Sequence, residues 1–268
     1  MTHDHHRFRF RRAAGPIGAI TLLAIATPAA AQGRGHFEPT DLALQSAGTL
    51  EVDAQVGFTE GDTAGRAIVP DLEVSLGLFP GVQLQIDTAY AVEGQPAARF
   101  SFDHPSPDNV WLSSKLELAR WDDDTHARAW ALGTQLGPKV PLAPGSRGAG
   151  YEGVMLLGRD IGDWHLVGSL GGFVDPSADG TRRRQIAIEG GVDLDLDLDH
   201  TDHWSLLAEF GTVAFRSADP HQAHATAGFM YSPTKNLDVT LIGLVGLFRA
   251  GDRGAVLLGV TPRLALWN

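Results

Sequence analysis

From Thr49 onward the chain alternates apolar and polar residues. Leu50, Val52, Ala54, Val56 and Phe58 interleave with Glu51, Asp53, Gln55 and Gly57, and Val82, Leu84, Ile86 and Thr88 with Gln83, Gln85 and Asp87. Side chains on a strand point alternately to its two faces, so this period of two predicts strands with one apolar and one polar face. Between these two, Leu72, Val74, Leu76 and Leu78 stand against Glu73 and Ser75; next, Val110, Leu112, Leu116 and Leu118 oppose Ser113, Lys115 and Glu117. The stretch Ala127 to Leu136 is Ala-rich and weakly patterned.

Two segments, Tyr151 to Arg159 and Trp164 to Phe173, flank Asp160-Ile161-Gly162-Asp163 and predict a hairpin. Each has about the length of a tilted strand that crosses a bilayer, roughly 9–11 residues. The facing of the first stays open between Glu152, Val154, Leu156 and Tyr151, Met155, Leu157. Later, Ile186, Ile188, Val192, Leu194, Leu196 and Leu198 oppose Glu189, Asp193, Asp195, Asp197 and Asp199, and Trp204, Leu206, Ala208 and Phe210 oppose Ser205 and Glu209. Segments at Ala223 to Tyr231, Leu237 to Phe248 and Ala255 to Leu266 bring the series to about twelve strands.

Gly and Pro punctuate the pattern, and no apolar run of the length a transmembrane helix needs follows the N-terminal region. That leaves a soluble β-sandwich or barrel, or a membrane barrel. The connections bear on the choice. Bacterial membrane barrels alternate short periplasmic turns with longer outer loops. The expected outer loops are Thr59–Arg66, Glu93–Pro107, Gly137–Gly148, Asp175–Arg182, Ser217–His221 and Arg249–Arg253. The inner ones are Phe79–Gly81, Asp122–Thr125, Asp160–Asp163, His200–Asp202 and Ser232–Asn236. In most adjacent pairs the outer member is longer, a parity a soluble sandwich has no reason to keep.

Aromatic residues follow the same parity. Phe79, Trp121, Trp164, Trp204, Tyr231 and Trp267 fall at expected periplasmic strand ends, and Phe58, Tyr90, Tyr151, Phe173, Phe215 and Phe248 at outer ends. Two rings of aromatics suit a bilayer with two polar interfaces. The reading is therefore an all-β, antiparallel transmembrane barrel of about twelve strands over residues 47–268, preceded by a periplasmic lead-in at 32–46.

The first 31 residues fit a secretory signal, with Arg7, Arg9, Arg11 and Arg12, an apolar segment from Pro16 to Thr27, and Ala29-Ala30-Ala31 before Gln32. Cleavage is expected after Ala31. Removing its four arginines and one aspartate from the chain's 21 Lys+Arg and 32 Asp+Glu leaves a net charge of −14. Such a charge argues against nucleic acid or anionic lipid surfaces as partners. With no cysteine in the chain, a disulfide scaffold, a thiolate metal site and a cysteine nucleophile are excluded.

Within this pattern the run from Lys139-Val140-Pro141-Leu142 to Gly145, then Leu157 through Leu166 and Gly168-Ser169-Leu170-Gly171-Gly172, resembles the outer-membrane barrels grouped under "MetA-pathway of phenol degradation". Ser169 stands where that group commonly has Asn. The turns at Leu78–Leu84 and Ser232–Val239 are similar to the family's as well. The resemblance implies an outer-membrane transporter of the small-solute kind, linked to aromatic or other hydrophobic compounds, without catalytic residues or cofactor. Its partners would be outer-membrane lipid, the barrel assembly machinery and a small-molecule solute. Outer-membrane barrels usually end on an aromatic residue; here Trp267 is followed by Asn268.

Candidate chemistry is sparse. The row Asp193, Asp195, Asp197 and Asp199 spaces its carboxylates about 7 Å apart on one face, whereas calcium needs its oxygens converging on one point. A hydrated acidic face, balanced by Arg182, Arg183 and Arg184, accounts for it better. The pairs His200/His203 and His221/His224 are expected at opposite ends of one strand, too far apart for a single site. His165 and Ser169 lie about 13 Å apart along a strand, beyond the reach of a nucleophile and its base, and no G-x-S-x-G elbow occurs, so no enzyme is expected.

What remains is passive passage of small solutes through an open lumen, with Glu51, Asp53, Asp87, Lys115, Glu117, Glu189, Asp193, Asp195, Glu209 and Asp238 lining it and setting selectivity. The alternatives are a plugged structural or binding barrel and a soluble periplasmic β protein.

Overall fold

The computed structural model describes residues 42, 44–61, 65–95, 98–107, 109–122, 129–142, 146–178, 185–199, 203–216, 221–248 and 252–267. The expected signal at 1–31 and most of the lead-in lie outside the described residues.

Fifteen strands are described: β1 (Thr49–Glu60), β2 (Gly65–Phe79), β3 (Val82–Gln95), β4 (Ala98–Pro107), β5 (Val110–Asp122), β6 (Ala129–Val140), β7 (Ser146–Arg147), β8 (Gly150–Ile161), β9 (Trp164–Val174), β10 (Ser177–Ala178), β11 (Ile186–Asp197), β12 (Trp204–Phe215), β13 (Gln222–Thr234), β14 (Leu237–Gly246) and β15 (Gly254–Ala265). Twelve of them form a closed antiparallel ring in the order β2, β1, β15, β14, β13, β12, β11, β9, β8, β6, β5, β3, with β3 returning to β2. The seam is a long ladder between first and last barrel strands, from Thr49 opposite Ala265 to Glu60 opposite Gly254. Closure leaves no exposed strand edge in the ring.

The three strands outside the ring decorate one end. β4 pairs only with the upper part of β3, from Tyr90 opposite Pro107 to Gln95 opposite Ala98, and β7 pairs with β10. The segment 93–107, expected as a loop, is thus largely a two-stranded extension of β3. The expected loop 137–148 begins later as well: Gly137, Pro138, Lys139 and Val140 continue β6, with Lys139 opposite Gly150 of β8. Gly-Pro reads locally as a breaker, but here the ladder to β8 holds the segment extended.

At the other end the chain enters beside where it leaves: Gly48 N–H donates to Gly77 O and Leu266 N–H to Gly48 O. This end carries the tight turns Pro80-Gly81, Gly162-Asp163 and Lys235-Asn236. Gly81 and Gly162 adopt φ of +80° and +59°, a region that glycine enters without the steric cost of a Cβ.

Outside the ring lies a belt of exposed apolar side chains, among them Ile86, Leu118, Leu157, Leu170, Ile188, Val192, Phe229, Leu241 and Val256. Inside, about half of the buried residues described are polar or charged, among them Gln55, Ser75, Gln83, Gln85, Ser113, Lys115, Gln135, Asp193, Thr226, Thr240 and Thr261. A soluble barrel would be arranged the other way round, because water solvates the outer polar face and the core excludes it. On β8 the structure settles the open facing: Glu152 and Leu156 are buried, and Tyr151, Met155 and Leu157 are exposed.

Candidate functional site: the lumen

Period-two patterning sends one polar residue in two into the lumen, and neighbouring strands bring these residues into cross-strand networks. At the chain-terminus end, Arg263 of β15 donates through Nε to Glu51 Oε2 of β1 at 2.6 Å and pairs through Nη2 with Asp238 Oδ2 of β14. One level further in, Asp53 accepts bonds from Thr261 Oγ1 at 2.8 Å and Gln55 Nε2 at 3.0 Å. Expected lumen residues Glu51 and Asp238, far apart in sequence, are thus joined by an arginine that the strand pattern did not single out.

Around the wall, Gln83 Nε2 donates to Ser75 Oγ, and Ser75 Oγ to Glu73 Oε1, both at 2.9 Å. Gln135 Nε2 donates to Gln85 Oε1 at 3.1 Å and to Ser113 Oγ at 3.0 Å. Asp87 and Lys115 are buried on the same inner surface, while Glu117 is held by Arg120 through bonds of 3.0 and 2.8 Å.

On β11 and β12, Asp193 stands directly opposite Glu209. Like charges in that relation repel, and Glu209 is relieved by His224 Nε2 at 3.2 Å and Thr226 Oγ1 at 3.2 Å. Glu189 and Glu209 line a cavity of about 620 Å³ with Glu152, Gln135, Ser169, His224 and Trp111. Asp193 and Asp195 line a second of about 940 Å³, both volumes including solvent-open space, together with Asp160, His165, Arg120 and Leu42. His165 sits between two carboxylates, Nδ1 2.9 Å from Asp160 and Nε2 3.3 Å from Asp197. Among the described residues no group of three or more His, Asp or Glu side chains is placed to hold a metal ion.

Several lumen residues were absent from the expected set. Trp111 is 1% exposed, and its Nε1 donates to Gly137 O at 3.2 Å. Lys139 is buried between Glu152, at 3.1 Å, and Asp175, with its ammonium 4.6 Å from the centroid of the Phe173 ring. Extending the alternation of Ser113 and Lys115 back by one step would have pointed Trp111 inward. No local signal marks Lys139, because its strand was expected to have ended.

The six aromatics expected at the terminus end, Phe79, Trp121, Trp164, Trp204, Tyr231 and Trp267, are all exposed. Trp204 and Tyr231 stack with centroids 4.5 Å apart, and Trp130, opposite Trp121, adds a seventh ring with Arg159 over it. At the other end the expectation needs correction for two residues. Phe173 and Phe215 are buried inside, edge to face at 6.2 Å, against Ala187 and Val213. Their strands' alternation turns these two rings inward, whereas Phe58, Tyr90, Tyr151 and Phe248 are exposed.

Near the loop end the lumen wall carries two apolar patches beside the Lys139 ion cluster, one of Ile68, Leu244, Ala255 and Leu257 and the other the Phe173 group.

Among solved structures this chain is similar to NanC porin, at 11% identity and a TM-score of 0.59 over 80% of this chain and all of that one. KdgM porin matches at 10% identity and a TM-score of 0.50, over 79% of this chain and 98% of that one, as does KdgM porin in complex with disordered oligogalacturonate. The shared feature is the fold: a closed twelve-strand barrel of the outer-membrane porin type. No family model matches the chain and no curated protein does, so the resemblance to the phenol-degradation group rests on its loop and turn segments alone.

Proposed function

We propose that this protein is an outer-membrane channel that admits small solutes passively through its lumen, held by lipid around the apolar belt and inserted by the barrel assembly machinery. The observation that carries the reading is the inversion of the barrel: apolar side chains outside, hydrogen-bonded polar ones inside. Only a lipid surround makes that arrangement favourable. The exposed aromatics Phe79, Trp121, Trp164, Trp204, Tyr231 and Trp267 then take the headgroup level on the periplasmic side. The porin fold of the similar structures agrees with this use.

Selectivity is assigned to the inner wall. Glu51, Asp53, Asp87, Glu117, Glu189, Asp193, Asp195, Glu209 and Asp238 outnumber the cation Lys115 and the added Lys139, Arg120 and Arg263. An acidic, low-dielectric wall concentrates cations and repels anions. A polyanion such as the oligogalacturonate named with KdgM porin suits it poorly. The two apolar patches near the loop end would receive the hydrophobic part of an aromatic solute, as the family resemblance implies, leaving small cationic or neutral aromatic compounds as the favoured cargo.

Planar-bilayer recording of the purified protein tests the channel: single-channel steps with cation-selective reversal potentials are expected. Absence of current under all conditions would sink it in favour of a plugged structural barrel. Retention of the protein in detergent, with a heat-dependent gel shift, tests the membrane location.

A further inference from the structure

Leu42, seven residues before β1, does not stay outside the barrel. Leu42 is buried in the lumen against Ala131, Leu156 and Val167. Two inward glycines make room for it: a Cβ built on Gly133 would come within 2.6 Å of Leu42 Cδ2, and one on Gly158 within 2.5 Å of Leu42 Cδ1. A third glycine receives the backbone that follows, since a Cβ on Gly77 would collide with the carbonyl oxygens of Gln45 and Ser46. The backbone is held as well: Gln45 N–H donates to Gln83 Oε1 at 2.9 Å and Thr49 N–H to Ser46 O at 2.9 Å.

These anchors lie on different parts of the wall. Gly77 is on β2 and Gly158 on β8, with β3, β5 and β6 between them in the ring. The four-residue step from Ser46 to Leu42 reaches about 13 Å when extended, and it carries the chain from the β2 side of the ring to the β6–β8 side. A chain along the wall would need no such set of notches.

We infer that Leu42 and residues 44–46 form a built-in plug at the chain-terminus mouth, with Leu42 as its anchor in the Gly133–Gly158 notch, and that this plug limits flow through the channel. The inference rests on the channel reading above and adds a constriction to it. Solute passing the cavity lined by Asp193, Asp195 and His165 meets Leu42 on the same cavity wall. Conduction therefore runs beside the segment or requires it to leave.

The absence of cysteine from the chain allows a clean test. A Cβ on Gly158 lies 3.5 Å from Leu42 Cβ, within the roughly 3.5–4.5 Å that a disulfide requires. The full-length double variant Leu42→Cys/Gly158→Cys, folded in detergent and oxidised, should cross-link, whereas Leu42→Cys/Gly228→Cys, with its second thiol on β13, should not. In planar bilayers, deletion of residues 32–46 from the full-length chain should raise single-channel conductance by about twofold or more, because it takes Leu42 and its neighbours out of the lumen. The oxidised cross-linked protein should stay at or below the wild-type level. Leu42→Gly, which keeps the backbone and loses the anchor, should move conductance in the same direction as the deletion, and gives the answer if the deletion variant fails to fold.

Absence of a disulfide between positions 42 and 158, or equal cross-linking to position 228, would overturn the placement. Wild-type conductance in both the deletion variant and Leu42→Gly would overturn the role in flow. A formed cross-link with no current from any variant overturns the channel reading instead, and leaves the segment as a structural closure of the barrel.

Discussion

Arg263 and Glu51 meet at 2.6 Å across the seam where the last barrel strand pairs with the first. The same guanidinium reaches Asp238 on β14, so one cation binds three strands. Replacing Arg263 by Met takes the shared cation away from the buried Asp238 and the partly buried Glu51. Because the arginine is still partly exposed, the expected loss is modest, about 1–3 kcal/mol, read as a lower midpoint in urea unfolding monitored by the heat-dependent gel shift. Glu51→Gln in the same background should recover part of it, and a double-mutant cycle between the two sites measures their coupling.

Lys139 is a stronger case, since its ammonium and the carboxylates of Glu152 and Asp175 are all buried. Lys139→Met strands two buried carboxylates, at a cost of about 3–5 kcal/mol. The triple variant Lys139→Met/Glu152→Gln/Asp175→Asn should unfold close to the wild-type midpoint. If the single and triple variants are equally weak, the ion cluster is not the source of the loss.

The cation preference proposed for the acidic wall should respond to neutralisation. Glu189→Gln, Asp193→Asn, Asp195→Asn and Glu209→Gln combined should move the reversal potential in a salt gradient toward zero while the barrel still forms. An unchanged reversal potential would place selectivity elsewhere.

Neighbouring residues on β9 should answer one substitution in opposite ways. Leu170 is 66% exposed on the outer face, and Leu170→Arg puts a charge into hydrocarbon at about 2–4 kcal/mol if it sits at mid-depth. Ser169 lines a lumen cavity; Ser169→Arg should leave assembly intact and reduce cation current. Unfolding midpoints and conductance of the two variants, taken together, check the facing of the strand.

Much of the barrel is legible in the chain because strand patterning is local. Leu84 and Ile86 against Gln83 and Gln85 state their own facing, and the tight turn at Gly162-Asp163 follows from a short polar break between two apolar runs. Where two faces are equally apolar, as at Tyr151 to Leu157, alternation cannot choose, and the pairing of β8 with β6 and β9 does. Phe173 and Phe215 misled as outer-ring aromatics because a ring near a strand end suits an interface or a packed lumen equally well, and only strand phase distinguishes them. Lys139 was hidden by the Gly-Pro before it.

The sequence by itself determined a barrel of about twelve strands, each with one polar and one apolar face, because a period of two is a property of neighbouring residues. The tertiary structure alone decided which carboxylates meet which cations, and that Leu42 enters the lumen. Arg263 finds Glu51 from 212 residues away, and the Gly133–Gly158 notch exists only once β6 and β8 lie side by side. Such relations depend on ring closure and strand stagger, which no short stretch of chain encodes.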